Sequence, residues 1–345
     1  MNKQFDYLVF IGRFQPFHIG HRAVIMRALE LAERVIVVIG SADKPRDPKN
    51  PWTASERAAM IIGNTFEGYL SRIKVTKVRD QIYNDQKWAA DVQNAVTSAT
   101  LSDGWTDRPP KIGLIGHNKD ETSFYLKMFP QWGDVVEHEM NEEVNATDLR
   151  TLLFEGKNMK YLESLVPRDV YQMIDRFRNT SDYARLVDEY DIIKKYKQSW
   201  EVAPYPATFV TADAVVIQSG HVLLIERKAA PGSGLLALPG GFVNQSERVE
   251  AAALRELREE TRLKVPEPVL RGSIKQSKVF DAPSRSLRGR TITHAFLIEL
   301  PAGPLPKVKG SDDARKAMWV PLHEVKSDRM FEDHYDIVQY FIGSI

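Results

Sequence analysis

Gly12-Arg13-Phe14-Gln15-Pro16-Phe17-His18-Ile19-Gly20-His21 is the stretch from which the fold of this chain can be predicted. Residues 5–11 before it are mostly apolar, as in a buried strand, and from Ala23 onward apolar residues recur at helical spacing. A strand, a loop and a helix in succession leave unpaired backbone N–H groups at the start of the helix, where the helix dipole also favours an anion. The stretch therefore predicts a phosphate-binding loop, with His18 and His21 beside the phosphates.

Composition limits the classes of protein to consider. A chain of 345 residues is long for one hydrophobic core, so we expect two domains. Lys and Arg number 47 against 46 for Asp and Glu, so no bulk attraction to nucleic acid or to an anionic membrane is implied. The absence of cysteine excludes a disulfide scaffold, a thiolate zinc site and a cysteine nucleophile.

The longest apolar runs, such as Val35–Ile39, are too short to cross a bilayer, and no signal-peptide core follows Met1. We therefore expect a soluble cytoplasmic protein that binds small molecules. Homo-oligomerisation stays open.

Strands and helices alternate after the Gly12 loop. Thr53 with Glu56 predicts a capping box, and the alternation predicts a parallel sheet with ligands outside the carboxyl ends of its strands. The predicted strands are Arg34–Gly40, Arg72–Val78 and Lys111–Gly116, and the predicted helices are Thr53–Ile62 and Gln86–Ala99.

His18-Ile19-Gly20-His21 resembles the (H/T)xGH motif of the nucleotidyltransferase superfamily. With the preceding Gly-Arg-Phe-Gln-Pro-Phe, the stretch resembles the nicotinamide-mononucleotide adenylyltransferases of archaeal type. The alternative is a helix-capping loop with two incidental histidines. The resemblance implies a Rossmann-like domain that transfers an adenylyl group from ATP, with catalysis by His18, His21 and Arg150. It implies ATP or mononucleotide binding by Gly12, Arg13, Phe14, Gly20, Trp88, Gly116, Asn118, Asn145 and Thr147.

Val144–Arg150 opens another helix, with Asn145 or Thr147 as its N-cap. In the resembled family this position carries a second phosphate motif, usually Ile-Ser-x-Thr-x-x-Arg, and Asn145 stands where serine is usual. Asparagine can still cap a helix and donate. For Arg57 the sequence leaves two interpretations, an approach to phosphate or a surface ion pair.

The second half of the chain begins with two predicted strands, Thr208–Ile217 and His221–Glu226, and continues with a helix in Gly241–Leu263. Glu256, Glu259 and Glu260 share one face of that helix, while Leu254 and Leu257 can point to the core. Three crowded carboxylates favour a divalent cation, and hard oxygen ligands select Mg²⁺ or Mn²⁺. The alternative is a solvated acidic helix with Glu–Arg pairs.

The spacing Gly-x5-Glu-x7-Arg-Glu-x-x-Glu-Glu from Gly241 resembles the Nudix box. The resemblance implies Mg²⁺ (or Mn²⁺) bound at Gly240, Glu256, Glu259 and Glu260, with Arg255, Glu256 and Glu259 in catalysis. Arg262 replaces the glycine that usually follows the box helix. A left-handed arginine costs roughly 1 kcal/mol, so we expect an altered helix end.

Val279–Arg290 is a basic, turn-rich segment similar to a loop of ADP-ribose-hydrolysing Nudix enzymes. The resemblance implies that Arg285, Arg288 and Arg290 bind ADP-ribose, against the alternative of a solvated hairpin tip. One of the acids in Ser311–Ala314 could assist catalysis.

Together these features predict an α/β chain. Residues 1–180 form a nucleotidyltransferase domain with a parallel sheet, 181–204 a helical linker and 205–345 an α/β/α Nudix sandwich. The combined resemblance is to bifunctional proteins that make NAD from ATP and nicotinamide mononucleotide and hydrolyse ADP-ribose. Alternatives are a Nudix domain that only senses nucleotides, or another acceptor such as nicotinic acid mononucleotide. A nucleic-acid-binding regulator is disfavoured, because no basic stripe or helix-turn-helix pattern is seen.

Overall fold

The computed structural model describes residues 3–63, 66, 68–104, 108–116, 126–133, 135–137, 144–311 and 313–343. The chain divides into two compact units, Met1–Val187 (unit 1) and Asp188–Ile345 (unit 2). The division falls inside the helix Ser181–Ser199, in the segment expected to be a linker. The segment boundaries after residues 180 and 204 stay a prediction.

Unit 1 is built on a five-stranded parallel sheet. Neighbouring strands are all parallel, as expected for a Rossmann-like domain. The spatial order β3-β2-β1-β4-β5 reverses direction between β1 and β4, so a ligand crevice is expected at the carboxyl ends of these two strands. The strands are β1 (Phe5–Gly12), β2 (Ala32–Ile39), β3 (Ile73–Lys77), β4 (Ile112–Gly116) and β5 (Val135–Glu137).

Among the described residues up to Ser199, the structure contains seven α-helices. They are α1 (Ile19–Leu31), α2 (Ala54–Ile62), α3 (Asp85–Leu101), α4 (Ala146–Glu155), α5 (Met159–Ser164), α6 (Arg168–Arg178) and α7 (Ser181–Ser199). The predicted capping box opens α2: Thr53 Oγ1 accepts from the Glu56 N–H (3.3 Å), and the Glu56 carboxylate accepts from the Thr53 N–H (2.7 Å). Asn145 caps α4, because its Oδ1 accepts from the Thr147 N–H (2.9 Å).

The helical region from α5 to α7 is broken twice, first at Pro167, which precedes α6. The second break is at Asn179-Thr180, between α6 and α7. Thr180 Oγ1 accepts from the Tyr183 N–H (3.2 Å), so a hydroxyl cap restarts the helix there.

Unit 2 is built on a mixed sheet. The spatial order is β10-β11-β6-β7-β12, with β8 paired to β7 and β9 paired to β6. The β6–β11 pair is parallel, whereas the other pairs are antiparallel. The strands are β6 (Thr208–Gln218), β7 (His221–Arg227), β8 (Leu236–Ala237), β9 (Gly240–Phe242), β10 (Ile274–Phe280), β11 (Arg290–Glu299) and β12 (Ala314–Pro321), and the helices are α8 (Val249–Thr261), α9 (Glu267–Gly272) and α10 (His334–Ile342).

Helix α8 packs on this sheet with its apolar face. Leu254 and Leu257 are buried in one cluster with Ala214 and Val216 of β6, as the helical spacing predicted. The opposite side of α8 is therefore left to its charged residues. In the part of the chain that the structure describes, no helix combines the length and apolar composition needed to cross a bilayer.

Candidate active sites

The loop between β1 and α1 holds two histidine rings face to face. His18 is buried, and the centroids of the His18 and His21 rings are 3.6 Å apart. The backbone N–H of His18 donates to Nδ1 of His21 (3.3 Å). The two residues of the motif thus form one unit at the start of α1.

His21 is neutral in this setting. Burial lowers the pKa of His21 well below its ordinary value of 6.5, and the neighbouring His18 lowers it further. Because Nδ1 accepts a hydrogen bond, the proton of the neutral ring lies on Nε2. His21 can therefore donate from Nε2 to a phosphate oxygen at neutral pH.

Gly12 ends β1 at a place with no room for a side chain. A Cβ on Gly12 would lie 2.8 Å from the Phe14 ring, and the Gly12 carbonyl accepts from the Gly40 N–H (2.8 Å). Phe14 itself is buried with a φ of 54°, in the left-handed region. The loop backbone is thereby fixed in an unusual conformation by close packing.

Arg150 joins the two predicted phosphate motifs. Its Nη1 donates to the Gln15 carbonyl in the β1–α1 loop (2.7 Å), and its Nη2 donates to Thr147 Oγ1 in the first turn of α4 (3.1 Å). Burial lowers the pKa of Arg150 to about 10, and Arg13 adds to the shift. Arg150 therefore joins the β1–α1 loop to the first turn of α4 by direct hydrogen bonds.

A lysine not expected from the sequence joins these cations. Burial lowers the pKa of Lys49, and repulsion from Arg13 adds to the effect, with smaller contributions from Lys44 and Arg150. Positive groups that repel one another in a buried setting are stabilised by an anion. The sequence offered one signal for Lys49, which is its position. It lies two residues before Pro51, in a loop at the carboxyl edge of the sheet.

Of the two interpretations left open for Arg57, the surface ion pair is wrong. The residue is buried, and its Nη1 donates to the carbonyls of Arg13 and Gly40 (both 2.7 Å). Its Nη2 donates to the Ser41 carbonyl (3.0 Å), and burial lowers its pKa to about 10. Arg57 braces the ends of β1 and β2 from behind.

In unit 2, two glycines bring the loop before α8 against carboxylates. A Cβ on Gly240 would lie 2.1 Å from Asp213 Oδ1, and a Cβ on Gly241 would lie 2.4 Å from Glu256 Oε1. No other residue fits at either position without movement of the backbone or of the carboxylate. This close approach is the physical reason for glycine at the start of the box.

Arg255 forms ion pairs with three glutamates of this site. Its guanidinium donates to Glu247 Oε1 (2.7 Å), Glu256 Oε1 (2.8 Å) and Glu259 Oε2 (2.9 Å), and to the Phe242 carbonyl (3.2 Å). The hydrogen bond from Arg255 lowers the pKa of Glu247 to about 2. Arg255 therefore fixes the orientation of the carboxylates around it.

Glu260 lies deeper and has no such partner. It is buried and accepts a hydrogen bond from the Gly240 N–H (3.0 Å). Burial raises its pKa to about 8, and Glu256 and Asp213 add repulsion. Burial also raises the pKa of Glu256. Among the described residues, Glu260 forms no ion pair with an arginine or lysine, whereas Glu256 is paired with Arg255.

Both halves of the chain match known families. A cytidylyltransferase-like model matches residues 9–120, and a NUDIX domain model matches residues 207–341. A nicotinamide/nicotinic acid mononucleotide adenylyltransferase of Acinetobacter baylyi is 41% identical over 187 residues, which are 54% of this chain and 94% of that protein. An ADP-ribose pyrophosphatase of Methanocaldococcus jannaschii is 32% identical over 160 residues, 46% of this chain and 85% of that protein.

One solved structure resembles the whole chain. It is a bifunctional NMN adenylyltransferase/ADP ribose pyrophosphatase from Francisella tularensis in complex with AMP and a Mn ion, with a TM-score of 0.89 and 34% identity over 99% of each chain. The chain belongs to this bifunctional family. The sequence-based prediction of a nucleotidyltransferase followed by a Nudix hydrolase is confirmed.

The family raises the question of whether the residues of unit 2 fit a divalent metal. Among the described residues, no group of three or more His, Asp or Glu side chains already forms a metal cage. Glu256 and Glu260 nevertheless fit a hard cation, because both offer oxygen ligands and their mutual repulsion would be relieved by it. Glu259 is ion-paired to Arg255 and half exposed (49%), so its part in metal binding, with that of Gly240, stays a prediction.

The family's box glycine is replaced by Arg262, and the expected change at the helix end is wrong. Arg262 keeps the left-handed conformation (φ 50°, ψ 30°), and its N–H donates to the Arg258 carbonyl (2.9 Å). The end of the helix therefore keeps the left-handed geometry that is usual there, although arginine is strained in it.

The three arginines predicted to bind ADP-ribose are in different settings. Arg285 is buried and donates from Nε and Nη2 to Asp333 (2.8 and 2.9 Å), so its guanidinium has a structural partner. Arg290 donates to the Asp281 carbonyl. Arg288 lies over the Phe242 ring (5.3 Å from Cζ to the centroid), and its buried Nε has no partner among the described residues. Of the three, Arg288 is best placed to meet a ligand.

Three of the other predicted nucleotide-binding residues of unit 1 lie on α1, α3 and β4. Gly20 is buried in the first turn of α1, and Gly116 ends β4 beside β1. Trp88 lies on α3, partly buried against Phe129, with 5.9 Å between ring centroids. Asn118 lies outside the described residues.

Arg227, at the end of β7, was missed by the sequence reading. Its guanidinium lies over the Phe331 ring (4.0 Å), and its Nε donates to the Pro231 carbonyl (3.1 Å). Burial lowers its pKa and Arg288 adds to the shift, while Glu332, Glu260 and Asp313 oppose it. It thus lies between the carboxylates of α8 and the basic loop. A basic residue ending an apolar strand was the only signal in the sequence.

Proposed function

We propose that unit 1 transfers the adenylyl group of ATP to nicotinamide mononucleotide, giving NAD and pyrophosphate. The observation that carries this proposal is the cluster of cations in and beside the β1–α1 loop, at the carboxyl end of β1. Arg13, Lys49 and Arg150 repel one another there, which suits a triphosphate. The names and the identities of the relatives support the same reaction.

In this reaction the phosphate of the mononucleotide attacks the α-phosphorus of ATP, and the bond to pyrophosphate breaks. Such chemistry depends on position and on positive charge more than on a covalent nucleophile. His21 would donate from Nε2 to the leaving group, and His18 would act beside it. Arg13, Lys49 and Arg150 would bind the triphosphate, held in place by the bonds from Arg150 to Gln15 and Thr147.

For unit 2 we propose hydrolysis of ADP-ribose by water, giving AMP and ribose 5-phosphate. Glu256 and Glu260 would hold a divalent metal ion, Mg²⁺ or Mn²⁺, which lowers the pKa of a bound water and neutralises charge on the diphosphate. Arg255 fixes the orientation of Glu256 and Glu259 for proton removal from the water. Arg227 and Arg288 would contact the diphosphate from the other side. The Mn ion and AMP in the Francisella relative support this assignment.

A second acceptor is favoured by a specific observation. The Acinetobacter relative is named for both nicotinamide and nicotinic acid mononucleotide. We therefore expect unit 1 to accept the acidic mononucleotide as well, at a rate that a direct comparison of the two acceptors measures. A unit 2 that binds ADP-ribose without cleaving it is the remaining alternative, and AMP release distinguishes it.

The test is a chromatographic assay of the purified chain. Wild-type protein is incubated with ATP, Mg²⁺ and either mononucleotide, and separately with ADP-ribose and Mg²⁺ or Mn²⁺. We expect NAD from nicotinamide mononucleotide, nicotinic acid adenine dinucleotide from nicotinic acid mononucleotide, and AMP from ADP-ribose. Absence of a dinucleotide product with both acceptors would contradict the proposal for unit 1, and binding of ADP-ribose without AMP release would contradict the proposal for unit 2.

A further inference from the structure

Arg262 is held in a conformation that arginine does not favour. Its φ of 50° and ψ of 30° lie in the left-handed region, where glycine is free of strain and other residues are not. Strain of this kind persists where the surroundings fix the residue, and an observed outlier is a reason to look for a role. The question is what the arginine side chain does that glycine could not.

The side chain of Arg262 ties the end of α8 to the loop between β11 and β12. Its Nη2 donates to Ser311 Oγ (3.0 Å). One residue back along α8, the Thr261 carbonyl accepts from the Lys309 N–H (2.9 Å). The loop is thus fixed to the helix end by one backbone bond and one side-chain bond.

The same loop is tightly packed where Arg262 holds it. The Ala314 N–H donates to the Ser311 carbonyl (2.8 Å), which closes a turn. A Cβ on Gly310 would lie 2.7 Å from the Ala314 carbonyl oxygen, so the chain folds closely on itself there. A small shift of Ser311 would therefore be passed on to the residues that follow it.

Asp313, two residues after Ser311, lies next to a charged group of the hydrolase site. Its carbonyl accepts from the Lys228 N–H (3.0 Å), adjacent to Arg227. Asp313 and Glu260 are both close enough to Arg227 to favour its charged form. The loop held by Arg262 thus reaches the group that lies between the α8 carboxylates and Arg288.

We propose that Arg262 is a positioning residue of the hydrolase, which holds Ser311 so that Asp313 stays beside Arg227. The proposal rests on the proposed function of unit 2. It explains why a strained arginine is present where glycine alone would satisfy the helix end. A purely structural residue at this position would be expected to favour stability, and glycine would serve that purpose better.

The experiment compares four variants of the full-length chain: Arg262→Gly, Arg262→Lys, Ser311→Ala and the double variant R262G/S311A. The matched control is Arg271→Ala, an exposed arginine on α9 whose partners are Glu250 and Glu267. Each protein is measured for Tm, for kcat and KM with ADP-ribose, and for NAD formation as a check on the concentration of folded chain. Hydrogen exchange is followed for the amides of Lys309 and Ala314.

We expect R262G to lower kcat about tenfold with little change in KM, because a displaced group costs rate more than binding. Its Tm should be equal to or above that of wild type, because the left-handed strain is removed. S311A should lower kcat to a similar extent, the double variant should be no worse than either single one, and R262K should retain most of kcat. Exchange at Lys309 and Ala314 should be about tenfold faster in R262G.

Two results would overturn the proposal. The first is an R262G variant with wild-type kcat and wild-type exchange in the loop. The second is a parallel loss of Tm and kcat in R262G, which would make Arg262 a stabilising residue only. If wild-type protein releases no AMP, the proposed function of unit 2 is wrong, and the exchange of Lys309 and Ala314 alone decides whether Arg262 holds the loop.

Discussion

The β1–α1 loop of unit 1 and helix α8 of unit 2 place charged groups of opposite sign in buried surroundings. Burial lowers the pKa of Arg150 to about 10 in the first, whereas burial raises the pKa of Glu260 to about 8 in the second. In both places like charges add to the shift, from Arg13 in unit 1 and from Glu256 in unit 2. An anion would therefore stabilise the site in unit 1, and a cation would stabilise the site in unit 2.

The two sites are also held together in different ways. In unit 1 the buried arginines donate to neutral carbonyls, such as that of Gln15, so their charge is left for a ligand. In unit 2 Arg255 compensates Glu247, Glu256 and Glu259, whereas Glu260 accepts from the neutral Gly240 N–H. On the proposed functions, unit 1 would bind its substrate through several positive charges, and unit 2 would bind a cation near one carboxylate.

The largest effect is expected from Glu260→Gln. Glutamine keeps the size of the side chain and removes the charge that would hold the metal, so AMP release from ADP-ribose should fall about 10³-fold. NAD formation by the same preparation should be unchanged, because unit 1 does not use this group. The measurement is the rate of both products at saturating Mg²⁺.

The control for Glu260→Gln is Glu267→Gln, an exposed glutamate on α9. It should leave both rates at the wild-type level. AMP release within about twofold of wild type in Glu260→Gln would remove Glu260 from the metal site, since loss of a metal ligand costs far more.

His21→Ala should have the next largest effect, on the other product. It removes the donor at Nε2 that would stabilise the leaving pyrophosphate, so kcat for NAD formation should fall about 10²-fold. His18→Ala should act similarly, because the two rings are in contact. AMP release from ADP-ribose should be unaffected in both.

His323→Ala is the control, because this histidine is exposed (81%). If His21→Ala raised KM for ATP and left kcat unchanged, the ring would bind the ground state only, and its assigned part in the chemical step would be wrong.

The features that could be predicted from the sequence are those set by neighbouring residues. The capping box at Thr53 and the cap at Asn145 depend on residues two or three positions apart. The apolar face of α8 depends on helical spacing, which Leu254 and Leu257 follow. The parallel sheet of unit 1 follows from the alternation of such elements. Local spacing was therefore sufficient for the fold and for the two motifs.

The features that could not be predicted depend on distant partners. Arg57 donates to carbonyls 44 and 17 residues earlier in the chain, and Arg285 pairs with an aspartate 48 residues later. No neighbouring residue in the sequence distinguishes an arginine that donates to protein groups from an arginine that binds a ligand. Arg227 and Lys49 were missed for the same reason, because their neighbours in space are set by the tertiary fold.

Lys49→Ala tests how much the binding of ATP by unit 1 depends on a single cation. Because Lys49 is one of several positive groups near Arg13, its loss should raise KM for ATP about tenfold with a smaller change in kcat. The control is Lys157→Ala, whose side chain is exposed (72%) and paired with Glu155. An unchanged KM for ATP would place Lys49 outside the triphosphate site.

The smallest expected effect concerns the stability of unit 2 without metal. Glu260 has a folded pKa of about 8 against an ordinary value of 4.5, so the folded state retains a proton between these values that the unfolded chain has lost. This contribution to stability is fully present below pH 4.5 and is lost as pH rises through 8. Glu247, with a pKa of about 2, changes only under acid conditions outside this window.

In EDTA, the Tm of unit 2 should therefore fall by a few degrees between pH 6 and pH 9. Saturating Mn²⁺ should remove most of this fall, because the cation replaces the proton as the countercharge. Glu260→Gln should show neither the fall nor the rescue, since its side chain cannot ionise. A metal-free wild-type Tm that is constant over this range would mean that Glu260 is already compensated in the folded chain, and the contrast between the two units would then reduce to the cations of unit 1.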